Sequence, residues 1–127
     1  MIFIEQVLNK INFPFTVRPF FVRLPGDVVG VTGDDATLSC RAGGSPRPHV
    51  LWRRHDGRMP VARAKLDEEN HSLRITGLKT QDAGVYICQA ENDVATVVAN
   101  ATLTVHGKIK LFFNMKTISN LTVFKII

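Results

Sequence analysis

Nothing in this chain pairs a nucleophile with a base, sets two carboxylates up for acid–base work, or gathers metal ligands. Its four histidines, His49, His55, His71 and His106, fall in loops or at strand ends, and Cys40 and Cys88 stand at none of the usual zinc spacings from them. Enzymatic chemistry is therefore not expected, and no cofactor or metal is implied. A long apolar run is missing too: Lys108, Lys110, Lys116 and Lys125 cut the C-terminal stretch far short of the roughly 20 apolar residues that span a bilayer. Met1 to Thr16 has no positively charged start and no small-residue cleavage site, and carries Glu5 and Lys10, so it makes a poor signal peptide. Base-reading or stacking motifs of a nucleic-acid binder are also absent. The formal net charge of +5 does not restore that reading, because residues 18–106 carry 11 Lys/Arg against 10 Asp/Glu, residues 1–17 carry one of each, and residues 107–127 add four lysines. The basicity belongs to the tail.

What remains is an all-β pattern with strands about every 8 to 12 residues and turn residues between them. Phe20 to Leu24 reads as an opening strand broken at Pro25-Gly26 and resumed at Val28 to Val31, with a turn at Gly33-Asp34-Asp35. Residues 36–42 alternate, with Ala36, Leu38, Cys40 and Ala42 inward. Gly43 to Pro48 reads as a loop, and Val50 to Arg54 returns with Val50 and Trp52 inward. A loop through Gly57 and Pro60 leads to Ser72–Thr76, where Leu73 and Ile75 face inward; Val85–Ala90 and Thr96–Val105 form a final hairpin around Glu91-Asn92-Asp93.

Within that pattern Cys40, Trp52, Asp82, Tyr86 and Cys88 occur in the order and spacing of an immunoglobulin-type β-sandwich, with Tyr86 two residues before the second cysteine as in a tyrosine corner. In such a fold Cys40 and Cys88 are joined, and closing that loop contributes about 4 kcal/mol in the chain-entropy model. A bridge of this kind persists in an oxidising compartment. The alternative is two buried free thiols in a cytosolic module of the same class.

The block Gly44-Ser45-Pro46-Arg47-Pro48, followed by Val50-Leu51-Trp52, Leu73-Arg74-Ile75 and Asp82 through Asn92, resembles the intermediate-set (I-set) immunoglobulin domains of neural receptors. Residues 18–23, 50–54, Met59-Pro60 and 101–106 are most similar to Roundabout axon-guidance receptors, to the third such domain. The resemblance implies an extracellular, non-catalytic recognition or adhesion module of a plasma-membrane receptor. It also implies partners among neighbouring immunoglobulin domains, a Slit-type ligand engaged through the parent receptor, and heparan sulfate. Contact with a membrane would come only through other regions of the parent chain. Dscam, contactin and peroxidasin domains share much of the pattern, and a muscle-type structural module is the alternative inside the cell.

The flanks differ in kind. Phe13-Pro14-Phe15-Thr16-Val17 can be encoded as a pyrimidine tract ending in ACAG, and Gly107-Lys108 as GGTAAA, which resemble a splice acceptor and donor. Residues 1–17 and 107–127 are accordingly expected to be translated intron or unstructured extensions around one domain at 18–106. Genuine disordered or helical extensions are the alternative.

Three candidate surfaces and two structural charge groups follow. Arg53, Arg54, Arg58, Arg63 and Lys65, with Arg47 nearby, form the densest basic group and are candidates for a sulfated glycan. Asn70 and Asn100 head N-glycosylation sequons on exposed positions, and Asn120 heads a third in the tail. Parity along the strands sends Leu51, Ile87 and Val98 to an outer face as a candidate contact patch. Asp82 is expected to form a structural ion pair with Arg63 or Lys65, and Asp67-Glu68-Glu69 to be a solvated turn.

Overall fold

Alternation of small apolar and polar side chains builds two sheets that share one interior. A computed structural model describes residues 15–108, 110–111 and 125–126. The expectation for residues 1–14, the sequon at Asn120 and most of the C-terminal flank lie outside the described residues. The strands are β1 (Val17–Arg23), β2 (Val28–Val31), β3 (Ala36–Leu38), β4 (Arg41–Ser45), β5 (His49–Arg54), β6 (Ala64–Asp67), β7 (Ser72–Ile75), β8 (Gly84–Glu91) and β9 (Thr96–His106). The two-residue strands β10 (Lys110–Leu111) and β11 (Lys125–Ile126) pair with each other. One 3₁₀ turn, Thr80–Asp82, precedes β8. No helix among the described residues is long and apolar enough to cross a membrane.

One sheet has the order β2-β9-β8-β5 and the other β3-β7-β6, while β1 pairs with β4 at the side. The first strand is split at Pro25-Gly26 and each half serves a different partner: β1 runs antiparallel to β4, whereas β2 runs parallel to β9 from Val28↔Leu103 to Val31↔His106. Proline cannot donate to a ladder, so the break falls where the chain must cross. Asp27 extends the second ladder by accepting from the Thr102 N–H at 2.8 Å.

The interior divides into two packed groups. Ala36, Leu38, Leu73, Ile75, Leu78, Tyr86, Ala101 and Leu103 form one, and Cys40, Ala42, Val50, Cys88 and Ala90 the other. The half-buried Trp52 packs against both.

Two local expectations change. Gly43, Gly44 and Ser45 belong to strand β4 rather than to a loop, because β1 lies alongside: Phe20 sits opposite Gly43, and a Cβ there would fall 2.8 Å from the Phe20 ring. Glycine is what lets the ring lie on the backbone. The stretch between Pro60 and Ser72 contains strand β6, whose register Leu66↔Leu73 completes the edge of the second sheet. Four residues with a single large apolar side chain carry too little alternation to announce a strand.

The first strand also starts earlier than residue 18. Val17 O accepts from Asn92 Nδ2 at 2.8 Å, and Phe15 O accepts from the Ser45 hydroxyl. Since both packed groups close within residues 15–108, a fragment of that span is expected to unfold in urea with the same midpoint as the full chain. A fragment without a cooperative transition would show that the flanks contribute to the fold.

Candidate functional site

The residues singled out in the sequence fall into a buried structural set and a dispersed surface set. At the centre, Cys40 and Cys88 are joined, with Cα atoms 6.5 Å apart, and both are buried. Trp52 packs on this pair while its indole N–H donates to the carbonyl of His71 at 2.8 Å. His71 holds a positive φ of 58°, a conformation that His tolerates better than most residues. Its ring is buried, and Nδ1 has no hydrogen-bond partner. Burial first, then the charges of Arg47 and Arg41, push the His71 pKa below its ordinary value, so the ring stays neutral.

At the corner before β8, the Tyr86 hydroxyl donates to Asp82 O at 2.7 Å. The Asp82 carboxylate, 1% exposed, accepts two hydrogen bonds of 2.7 Å from the Arg63 guanidinium and one from the Lys79 N–H. The same guanidinium donates to Thr76 O and Gly77 O. Arg63 is thereby used up in tying the β6 side of the molecule to the corner. Its bonds hold the Asp82 pKa below the usual carboxylate range and raise its own. Leu73 is buried in the larger packed group.

The basic group expected to bind a sulfated glycan does not assemble. Arg54 follows Val50 and Trp52 at the next inward position of β5 and is only 9% exposed. Its guanidinium donates to Ala83 O at 2.7 Å, lies 3.0 Å from Asp56 and sits over the Tyr86 ring at 5.7 Å. Gly84 permits this, since a Cβ there would come within 3.1 Å of Arg54 Nε. With Arg54 and Arg63 committed to the fold, the exposed members are Arg53, Arg58 and Lys65. Arg53 lies on β5 beside Gln89, Arg58 follows the β5 strand end, and Lys65 lies on the other sheet opposite Arg74.

The contact patch is corrected as well. Val98 is 51% exposed and Leu51 half-buried, but Ile87 is only 5% exposed. Outward parity is not exposure for a central strand: Ile87 stands on β8 between Arg53 of β5 and Asn100 of β9, flanked on both sides within the sheet. Asn100 is exposed on β9. Asn70 is exposed too, its side-chain amide and N–H both donating to Asp67, whose pKa is lowered chiefly by the Asn70 N–H.

Asn92 does more than its place in a turn suggests. Its carbonyl oxygen accepts from Val94 and Ala95 N–H, the local pattern of such a turn. Its amide nitrogen, however, donates to Val17 O and Pro46 O, fastening the first strand and the loop after β4 to the last hairpin. No local sequence signal announces that reach. Among the described residues there is no group of three His, Cys, Asp or Glu able to hold a metal ion.

A disulfide pinned by tryptophan between two such sheets, with a tyrosine corner at the entry to β8, defines an immunoglobulin-type module. The family model of the immunoglobulin I-set domain matches residues 19–105, and the chain belongs to that family. It is 35% identical over 103 residues to Protein sax-3 of Caenorhabditis elegans, covering 81% of this chain and 8% of that protein. To Roundabout homolog 1 of Homo sapiens it is 41% identical over 88 residues, 69% of this chain and 5% of the relative. The chain thus spans less than a tenth of the length of these relatives. Among solved structures, titin domain M7 superposes with a TM-score of 0.66 at 28% identity, covering 73% of this chain and 98% of that one.

Two outcomes check this geometry. Asp82→Asn leaves Arg63 without its counter-charge and is expected to lower stability by about 2–3 kcal/mol at neutral pH in urea unfolding. Because the native Asp82 pKa is depressed, its contribution is complete above the unfolded value of about 3.9 and is lost as pH falls through the native value. The Asn variant should therefore lose stability less steeply in acid, and equal slopes would exclude the pair as the acid-sensitive element. Separately, Ile87→Asp buries an unpaired carboxylate and is expected to cost more than about 2 kcal/mol, against less than about 0.5 for Val98→Asp. Equal melting temperatures would mean that Ile87 is open to solvent.

Proposed function

We propose that this chain is a non-catalytic recognition module from the extracellular region of a Roundabout-like receptor, the third immunoglobulin domain of its array. Its own partners are the neighbouring immunoglobulin domains and a protein ligand. The Slit-type ligand is engaged through the parent receptor, and heparan sulfate is a further partner. The observation that carries the reading is the buried Cys40–Cys88 bridge packed by Trp52, since such bridges persist where thiols are oxidised. The 41% identity to Roundabout homolog 1 supports the choice of parent. Exposed sequons at Asn70 and Asn100 fit a surface that passes through the secretory pathway.

A muscle-type spacer is the second reading, favoured by the likeness to titin domain M7. The two differ in chemistry. A module of the cell exterior carries the bridge and sugar, whereas an intracellular one keeps Cys40 and Cys88 as thiols.

The test is made on the chain isolated from cells that express it. With the chain unfolded in denaturant, no labelling by a bulky maleimide before reduction, and two labels after it, are expected. A gel shift on enzymatic deglycosylation should also appear and shrink in Asn100→Gln. Two labelled thiols without reductant and no glycan would move the protein to the spacer reading.

A further inference from the structure

Strands β1 and β4 pair irregularly, and the irregularity changes which side chains meet. Phe21 faces Ala42, so a regular ladder would set Val22 against Arg41. One extra residue on β1 instead brings Arg23 opposite Arg41. Bulges of this kind re-aim the side chains beyond them. Like charges directly opposite in a ladder oppose stability, so this register is not explained by the strand pairing itself. Both arginines are exposed. Arg54, Arg63 and Arg74 each have a carboxylate partner, whereas among the described residues neither Arg23 nor Arg41 has one.

Arg23 and Arg41 line a cavity of about 280 Å³ together with Ser39, Cys40, Asn70 and Ser72. The cavity lies where the chain leaves β7 at Leu38 and takes up β1 at Arg41, so Ser39 and Cys40 belong to neither ladder. Its walls offer guanidinium, hydroxyl and amide donors and no carboxylate, while Cys40 is tied up in the bridge. The neighbouring cavity of about 360 Å³ differs, because Glu68 and Glu69 share its lining with Arg47. Asp67, which the Asn70 wall bonds directly, is occupied by the N–H groups of Glu69 and Asn70 and by the Asn70 amide.

We propose that this cavity is a binding site for a sulfate-type oxyanion, held between the guanidiniums of Arg23 and Arg41 with Ser39 and Ser72 hydroxyls as further donors. Paired planar forks suit such an anion, and its charge relieves the repulsion that the bulge creates. The same chemistry is offered by free inorganic sulfate and by a sulfate ester on a sugar.

The test uses the full 127-residue chain, oxidised, isotope-labelled and made in bacteria. The amide resonances of Ser39, Arg41, Asn70 and Ser72 are followed as chloride is exchanged for inorganic sulfate at constant ionic strength, and in a second arm for a sulfated monosaccharide. Saturable shifts are expected at these amides. Arg23→Gln and Arg41→Gln should each weaken binding roughly tenfold or more, and Arg53→Gln should not change it. Arg41→Lys, which keeps the charge and loses the fork, should fall between. Tighter saturation by the sulfated sugar assigns the site to an ester, and tighter saturation by sulfate assigns it to the free ion. Shifts that grow linearly, or that persist in both Gln variants, overturn the proposal. So does saturation by a glutamate-rich peptide without any response to sulfate, which would give the arginines to protein carboxylates.

Discussion

Trp52 is the contact on which the two halves of this molecule agree. The buried side chains fall into one group under the corner of Tyr86 and another around the Cys40–Cys88 bridge, and the indole touches both. Its N–H adds a third tie by bonding the carbonyl of His71 in the turn between β6 and β7. A large flat ring can do this because it presents apolar faces to two groups and one polar edge to a backbone acceptor. The disulfide fixes how far apart the sheets stand, while the indole fixes how the space between them is filled.

The charged residues of the middle of the chain serve the interior as much as the surface. Arg54 and Arg63 both converge on the corner, one over the Tyr86 ring and the other on the Asp82 carboxylate. Arginine suits this use because its stem packs as hydrocarbon while its head donates in several directions. Two members of a cluster that looks basic along the sequence are therefore neutralised and spent within the fold, and Arg53, Arg58 and Lys65 are left on separate stretches of the surface. A pair of arginines without a carboxylate partner among the described residues stands instead at Arg23 and Arg41, eighteen positions apart in the sequence and directly opposite in the ladder.

Residues with long-range covalent or aromatic roles were legible in the sequence, and so was the alternation of Ala36, Leu38, Cys40 and Ala42, because burial follows strand parity directly. The same parity argument, carried one step further along β5, places Arg54 inward. Treating charge as proof of exposure hides it. Parity alone also places Ile87 outside without asking what its neighbours cover. Strand β6 is too short and too polar to declare itself. The bulge at Val22 and the reach of Asn92 to Val17 and Pro46 depend on which strands become neighbours, and no window of sequence contains that information.

The crossing at Pro25-Gly26 has a mechanical side. The chain enters the domain through β1 and β2 and leaves through β9, and β2 and β9 lie next to each other pointing the same way. If the two ends of the domain were drawn apart, the pull would run along this ladder, so its rungs from Val28 to Val31 would carry the load together in shear instead of breaking in succession. Further ties at that end, from Thr32 N–H to His106 O and from Lys108 N–H to the Thr32 hydroxyl, lengthen the loaded segment. A hairpin placed there would unzip from its free end, whereas this arrangement resists tension as a lap joint does.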